Sequence, residues 1–227
     1  MPDDSRSRPL FPRLRARARA VRFRRRWGFA PPPPWSDWVG YEVLLEEIER
    51  FGLDRVDGDV LEIGAFLGGG TAKLCGWFAR RSPAKRVVSV DVFDPSFDTT
   101  TTVAGWPMYE LYASALNGKS QRAVFDDVTR GGGNLTVVAG DSTSVEVPVE
   151  RLAFAFVDGS HVPEDVRSDF ELVWQRLSPS GVAGFHDYGA DLPGVTRTLH
   201  SCIGTHADEI ERVWTRSPRL LFVQQAS

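Results

Sequence analysis

Two aspartates and two histidines follow the ends of two apolar stretches in this sequence. Asp158 and His161 come after LAFAFV, and His186 and Asp187 come after GVAGF. Two carboxylates and an imidazole can hold a divalent cation such as Mg²⁺, which would orient substrate oxygens and lower the pKa of a hydroxyl. A histidine can also accept a hydroxyl proton without a metal, because its ordinary pKa lies near neutral pH. A purely structural role for the histidines is the third alternative.

A glycine-rich segment, VLEIGAFLGGGT, connects an apolar stretch to a stretch of helical period. Glycine allows the backbone to turn tightly and to approach a ligand closely, so we predict that Gly64, Gly68, Gly70 and the adjoining Thr71 bind a cofactor. The spacing is not the dinucleotide pattern G-x-G-x-x-G, because residue 66 is phenylalanine, and no phosphate-binding G-K-[ST] motif is present. A tight strand-to-helix turn without a ligand is the plainer alternative.

Polar residues also end the next two apolar stretches. Asp91 ends the second stretch, where a carboxylate can accept both hydroxyls of a ribose. Asp141 ends the third and can accept from an adenine amine, while the N–H of Ser142 can face a ring nitrogen. Glu62 lies inside an apolar stretch, which is costly unless its carboxyl is hydrogen-bonded; it could hold the glycine turn or receive an ammonium group. These residues predict an adenosine ligand that carries an amino acid.

Five apolar stretches alternate with amphipathic stretches between residues 59 and 187. This alternation predicts an α/β fold in which helices cover both faces of a parallel sheet. The last two stretches, EIERVWTR and RLLFVQQ, lie close together across SPR and predict a C-terminal hairpin. Because ligands bind at the carboxyl ends of parallel strands, we expect the polar residues described above to face one site.

Other segments are less regular. Ser36 and Gly52 predict the start and the end of a helix. Residues 92–133 have the pattern of a long polar loop followed by two helical stretches, and we expect them to line or cover a ligand pocket, because loops of this length are usually functional or mobile. Asp165 and Asp169 lie four residues apart on a predicted helix, and we interpret them as part of its solvated face.

The charge is distributed unevenly along the chain. Residues 1–26 hold ten arginines and two aspartates, a net +8, so the rest of the chain carries −11 of the total of −3. We predict a basic, proline-linked arm at 1–35 and a catalytic domain at 36–227. The arm is expected to be a poorly ordered tail, because its arginines repel one another. Docking to an anionic surface and nucleic-acid binding are the alternatives, and a short basic helix with apolar Leu14, Val21, Phe23 and Trp27 supports docking.

The overall composition places the chain among ordinary globular proteins. Its 227 residues are 42% hydrophobic, which suits one domain or one domain with a tail. The chain has no apolar run of about 18 residues and no secretory signal pattern, so we expect no membrane-spanning helix. Cys75 and Cys202 lack metal-type spacing, and we interpret them as reduced thiols of a cytoplasmic protein.

These motifs together resemble those of the class I S-adenosyl-L-methionine-dependent methyltransferases. VLEIGAFLGGGT is similar to their first motif, VVSVD to their second and VVAGDS to their adenine-contacting segment, and the resemblance covers residues 36–225. The segment from 156 to 189, FVDGSH through GFHDYG, is similar to small-molecule O-methyltransferases of the catechol and antibiotic-sugar types. In several of these families the last strand ends in Asp-Asp or Asp-Asn, whereas here the pair is His186-Asp187.

The resemblance implies a Rossmann-like, seven-stranded, mostly parallel sheet with helices on both faces and a C-terminal antiparallel hairpin. It implies S-adenosyl-L-methionine as cofactor and methylation of a hydroxyl on a small molecule such as a sugar or a secondary metabolite. From the residue types and positions, Asp158, His186 and Asp187 are the candidate Mg²⁺ ligands, and Asp158 and His161 the candidate catalytic residues. Assembly into a homo-oligomer is a further expectation.

Two other functions are compatible with the sequence. One is methylation of nucleic acid or protein guided by the basic arm, but DGSH replaces the Asn/Asp-Pro-Pro-Tyr/Phe motif of amino-methylating DNA enzymes, and the acidic remainder of the chain would repel phosphates. The other is a non-methylating nucleotide-binding or hydroxylase-like protein on the same fold, because a fold does not determine a function.

Overall fold

The computed structural model describes residues 10–38, 40–216 and 219–227. Helices and strands alternate along most of this length. In chain order they are α1 (Leu10–Trp27), α2 (Glu42–Phe51), β1 (Asp59–Ile63), α3 (Gly69–Arg81), β2 (Val87–Asp91), α4 (Met108–Leu116), α5 (Gln121–Thr129), β3 (Leu135–Ala139), β4 (Leu152–Val157), α6 (Pro163–Trp174), β5 (Leu177–Phe185), α7 (Pro193–Thr205), β6 (Ile210–Arg216) and β7 (Leu220–Gln225). Within the described ranges, every helix is too short or too polar to cross a bilayer.

The strands form one seven-stranded sheet in the order β3-β2-β1-β4-β5-β7-β6. Strands β1 to β5 are parallel, whereas β7 runs antiparallel to both β5 and β6. The predicted fold is therefore confirmed, including the C-terminal hairpin. The chain order reverses between β1 and β4, and ligands of open parallel sheets bind beside such a reversal, at the carboxyl ends of the strands.

The register aligns the carboxyl ends of β1, β4 and β5 at the same level along the strand direction. Ile63 of β1 lies opposite Val157 of β4, and Val157 lies opposite Phe185 of β5. The next residues along these strands are Gly64, Asp158 and His186, so the glycine turn and the two acidic strand ends meet at one edge.

Each face of the sheet carries its own apolar cluster, because successive strand side chains point to opposite faces. One cluster packs α6 and α7 against the sheet through Phe170 and Leu199. The other packs α2 and α3 through Leu44 and Phe78. These clusters hold the strand ends in place from both sides.

In the described part of the arm, helix α1 is present where a poorly ordered tail was expected, and residues 1–9 of the arm lie outside the described residues. Phe23 and Trp27 lie one helical turn apart, share a face, and are buried in the cluster that contains α2 and α3. Arg19 pairs with Glu42 at 3.3 Å, and Arg26 pairs with Glu49. Acidic residues of α2 thus offset the repulsion that favoured a tail, and the short basic helix is the alternative that describes this segment. The domain boundary near residue 35 stays a prediction.

The predicted helix start at Ser36 is wrong, because α2 begins at Glu42. Ser36 belongs to a short 3-10 turn, and its hydroxyl donates to a carbonyl within that turn. Asp37 instead accepts the N–H of Tyr41 at 3.1 Å. The predicted end is confirmed, since Gly52 follows the helix in the left-handed conformation.

Candidate active site

A cavity of about 510 Å³ opens at the carboxyl edge of the sheet, which is an ordinary size for a small-molecule site. Its wall is formed by the glycine turn, the strand ends and the first half of the 92–133 segment. The predicted site residues on the wall are Gly64, Asp91, Asp141, Ser142, Asp158, His186 and Asp187. Glu62, Gly68, Gly70, Thr71 and His161 lie outside this wall.

Gly64 allows the ends of β1 and β4 to approach each other. Its φ is +82°, and a Cβ at this position would lie 2.0 Å from the carbonyl oxygen of Asp158. The N–H of Asp158 donates to Ile63 at 2.8 Å, and the N–H of His186 donates to Val157 at 2.9 Å. The glycine turn and both acidic strand ends are therefore positioned by one set of main-chain contacts.

Glu62 supports the glycine turn from behind. Its carboxyl accepts from the hydroxyl of Thr71, and a Cβ on Gly70 would lie 2.4 Å from its Oε1. Burial raises the pKa of Glu62 to about 8, so the group is mostly protonated at neutral pH. Of its two predicted roles, holding the turn is the one that this geometry favours. Gly68 faces α5 instead, where a Cβ would lie 2.8 Å from Thr129.

Asp91 is held by three donors. It accepts the N–H of Phe66 at 2.8 Å, the N–H of Phe93 at 2.6 Å and the amide of Gln121 at 3.0 Å. Phe66 and Phe93 have φ of 47° and 53°, conformations that such residues rarely adopt and that are enriched at functional sites. Burial raises the pKa of Asp91, and these hydrogen bonds oppose the rise. Sequence reasoning missed Gln121, the first residue of α5.

Asp141 and Ser142 form the next part of the wall. Asp141 accepts the N–H of Thr143 at 2.9 Å, which fixes the turn after β3. The hydroxyl of Ser142 donates to Asp169 at 2.6 Å. Asp169 is 1% exposed, so its interpretation as part of a solvated face is wrong. Helix α6 turns it toward the Ser142 loop, and burial raises its pKa to about 7.

Replacing Asp169 with asparagine should stabilise the protein above neutral pH. Ionisation of Asp169 penalises the folded state progressively as pH rises from its unfolded pKa near 3.8 to its folded pKa of about 7, and asparagine removes that penalty while keeping the oxygen that accepts from Ser142. Urea unfolding should show a gain on the order of 2 kcal/mol at pH 8 and little gain at pH 4. Asp208→Asn, an exposed control, should change stability little at either pH. A loss of stability at pH 8 for Asp169→Asn would contradict this reading.

His186, Asp158 and Asp187 form a compact cluster at the ends of β4 and β5. Nδ1 of His186 lies 2.9 Å from Oδ1 of Asp158 and 3.0 Å from Oδ2 of Asp187. Burial alone would lower the pKa of His186, but the two carboxylates raise it to about 10. Asp187 has φ of 54°, another unusual backbone conformation at this site.

The cluster suits a divalent cation. One donor atom from each of the three residues lies within 4.8 Å of the other two. Nδ1 of His186 is buried and makes no well-aligned hydrogen bond, although two carboxylate oxygens are within 3.0 Å of it. A nitrogen that faces two carboxylates without a satisfactory bond is accounted for if all three atoms are ligands of one ion. The two carboxylate oxygens are the hard donors that Mg²⁺ prefers, and His186 would release its proton to serve as the third ligand.

His161 lies behind this cluster. Its Nε2 is 2.7 Å from Oδ2 of Asp187, and its Nδ1 contacts Asp98. Burial alone would lower the pKa of His161, but these two carboxylates raise it to about 10. In this geometry the imidazole positions Asp187 and presents no free nitrogen to the cavity, so its predicted role as a general base gains no support. Sequence reasoning missed Asp98, which lies in the loop of the 92–133 segment.

Tyr41 supports Asp158 from the other side. Its hydroxyl donates to Oδ2 of Asp158 at 2.9 Å. Burial, together with the nearby carboxylates, raises the pKa of Tyr41 well above its ordinary value, so the phenol keeps its proton. Arg219 lies on the outer side, where its guanidinium is 3.4 Å from Asp187. No local sequence signal pointed to Tyr41, which is 117 positions away from its partner.

Residues of the 92–133 segment complete the wall with apolar side chains. Phe97, Met108, Leu111 and Tyr112 all line the cavity. The ring of Tyr112 lies 5.0 Å from that of Phe66, and Phe66 lies 5.0 Å from Trp38. A row of aromatic rings therefore connects this segment to the glycine turn.

The chain belongs to the methyltransferase-domain family, whose sequence model matches residues 61–188. This range runs from β1 to the residue after Asp187, so it includes most of the cavity wall. The fold is that of the class I S-adenosylmethionine-dependent methyltransferases, as the sequence predicted. No curated protein sequence matches the chain.

Several solved structures share this fold. The O-methyltransferase NovP superposes with a TM-score of 0.68 at 16% identity, over 83% of this chain and 80% of its own. CalS11, a calicheamicin methyltransferase, gives 0.56 at 14% identity, over 98% and 99%. TomG from Streptomyces achromogenes, an O-methyltransferase of tomaymycin synthesis solved with S-adenosylmethionine, gives 0.51 at 16% identity, over 92% and 89%. At these identities the likeness shows the fold alone.

Proposed function

We propose that this protein transfers a methyl group from S-adenosylmethionine to a hydroxyl of a small molecule, with Mg²⁺ bound by Asp158, His186 and Asp187. The observation that carries the proposal is the convergence of these three residues on the wall of the cavity beside the glycine turn. The family supplies the reaction class, and the donor set of the cluster suggests how the acceptor is activated.

The cofactor is assigned to the side of the cavity that contains the glycine turn. S-adenosylmethionine supplies an electrophilic methyl group on a positively charged sulfur. Asp91 accepts from the ribose, Asp141 from the adenine amine, and the main-chain N–H of Ser142 faces the adenine ring. Gly64 lets the backbone approach the ligand, while Glu62, Gly68, Gly70 and Thr71 shape the turn from behind.

The chain's own residues hold the two aspartates of the cation site in fixed positions. Tyr41 donates to Asp158, and His161 bridges Asp187 to Asp98. Such supporting contacts usually orient metal ligands. A bound Mg²⁺ would lower the pKa of the acceptor hydroxyl, so that its proton could pass to water, and transfer of the methyl group to the oxygen would leave S-adenosylhomocysteine. The remaining contribution is positioning, because holding the acceptor oxygen in line with the methyl group supplies much of the rate.

The cavity wall favours acceptors without phosphate groups. Eight aspartates line it, and Arg219 is the only lysine or arginine among its described lining residues. This acidic wall would repel an anionic acceptor, including nucleic acid, and would accommodate a neutral or amine-bearing one. Trp38, Phe97 and Tyr112 add flat apolar surface. We therefore propose a neutral or amino sugar, or a hydroxylated secondary metabolite, as the acceptor.

Methyl transfer to a matched acceptor panel tests this function. Methyl-labelled S-adenosylmethionine would be offered with hydroxylated glycosides, their amino-sugar analogues and their phosphorylated analogues, each with Mg²⁺ or with a chelator. We expect labelled ether from the neutral or amine-bearing compounds, at least about tenfold less from the phosphorylated ones, and a loss of about 100-fold or more with chelator that Mg²⁺ restores. Preference for the phosphorylated compounds would contradict the acceptor class, and transfer unaffected by chelator would contradict the role of Mg²⁺.

A further inference from the structure

Helix α1 carries a basic surface that the proposed reaction does not use. We define this surface, the arginine face, as Arg15, Arg17, Arg22, Arg24 and Arg25. All five side chains are exposed, and none makes an ion pair with a described residue. Arg19 and Arg26, by contrast, pair with acidic residues of α2. The helix therefore has one set of arginines that fixes it to the body and a second set without an acidic partner among the described residues.

Helical geometry places the arginine face opposite the docked side. Phe23 and Trp27 mark the side that is buried against the body. At about 100° per residue, the five arginines occupy roughly the opposite half of the circumference and extend over about 15 Å of the axis. The docking of α1 thus presents the positive charges outward as one fixed surface.

We propose that the arginine face binds the headgroups of anionic phospholipids and brings the enzyme to a membrane surface. Between the arginines lie Ala18 and Val21, and Val21 is 46% exposed. A broad basic surface interrupted by a small apolar side chain suits the headgroup layer of a membrane. The arginine face lacks the side-chain amides that usually hydrogen-bond to nucleic-acid bases and the aromatic rings that usually stack on them. A lipid surface is therefore favoured over RNA or DNA.

The uneven distribution of charge along the chain would orient the protein on a membrane. Residues 27–227 together carry −11, so an anionic membrane attracts the arginine face and repels the rest of the molecule. The contact should be reversible and sensitive to salt, because screening becomes strong when the Debye length falls to a few ångströms.

Vesicle sedimentation of the full chain tests the proposal. The probes are phosphatidylcholine vesicles with and without about one third phosphatidylglycerol. We expect binding only to the anionic vesicles, and loss of that binding near 1 M salt. A variant with glutamine at all five positions should bind at least about 100-fold more weakly, since each basic residue near such a surface contributes about fivefold. The same five positions changed to lysine should retain binding.

A matched control distinguishes the position of the five arginines from their contribution to the net charge. Glutamine at the exposed Arg122, Arg130, Arg151, Arg197 and Arg212 removes the same five charges elsewhere and should leave vesicle binding within about threefold. Thermal unfolding would verify that every variant is folded. The proposal is overturned if wild-type protein does not bind anionic vesicles or if the arginine-face variant binds as well as the control. It is also overturned if an RNA duplex, at a phosphate concentration equal to that of the vesicles, displaces the protein from them.

Discussion

Changing Asp158 to asparagine should reduce methyl transfer by about 100-fold or more while the affinity for S-adenosylhomocysteine stays within about threefold. Asparagine has the same size and keeps an oxygen that accepts from Tyr41, so the strand end should hold its shape. The change removes the negative charge that faces His186 at 2.9 Å and with it one charged ligand of the cation site. The expected loss is therefore one of catalysis and not of cofactor binding.

Two controls identify the source of that loss. Asp94→Asn changes another aspartate of the cavity wall, whose carboxylate accepts, among the described residues, only from Ser96 in its own loop. This change should alter activity by less than about threefold. Steady-state kinetics would give activity, and calorimetry would give the affinity for S-adenosylhomocysteine. Full activity of Asp158→Asn would contradict the assigned cation site. An equal loss of both quantities would place Asp158 in cofactor binding.

The substitution Gly64→Ala should damage stability and cofactor binding together. The new methyl group would lie 2.0 Å from the carbonyl oxygen of Asp158, and that oxygen belongs to backbone that cannot move without shifting the end of β4. Overlap of this kind costs about 3 kcal/mol in unfolding free energy. The shift would also displace the glycine turn, so we expect at least about 30-fold weaker binding of S-adenosylhomocysteine.

Gly118→Ala is the matched control for backbone strain. Gly118 has φ of +75°, close to the +82° of Gly64, but a Cβ there would meet no atom within 4 Å. The substitution Gly118→Ala should lower the unfolding free energy by only about 1 kcal/mol and leave the affinity for S-adenosylhomocysteine unchanged. Urea unfolding and calorimetry would compare the two variants. If the two variants lost the same unfolding free energy and the same cofactor affinity, the positive φ alone would explain the loss, and the close contact between β1 and β4 would contribute nothing.

The sheet and its acidic edge were predictable because they depend on repeating local patterns. The alternation of apolar and amphipathic stretches determines a parallel sheet, and parallel strands bring their carboxyl ends to one edge. Asp158 and His186 each follow a strand directly and Asp187 is the next residue, so their meeting could be inferred from position alone. The gathering of Gly64, Asp91 and Asp141 on the same wall has the same cause.

The residues that support this edge were not predictable in this way. Tyr41, Asp98 and Gln121 come from a loop and helix ends, and each contacts a site residue between 30 and 117 positions away. Their side chains reach the site only after the segments around them have packed, and no short motif encodes that packing. The arm shows the same limit. Helix α1 buries Phe23 and Trp27 against the body and pairs with Glu42 and Glu49, and these long-range contacts are not visible in the local charge pattern.

Calorimetric titration of the full chain with S-adenosylhomocysteine tests the central claim most directly. NADH serves as the control ligand, and each titration is run with and without Mg²⁺. We expect S-adenosylhomocysteine to bind, NADH not to bind, and Mg²⁺ to give a separate heat that is lost in Asp187→Asn. Binding of NADH in place of S-adenosylhomocysteine, or of neither ligand, would contradict the assignment of this edge as a methyltransferase site.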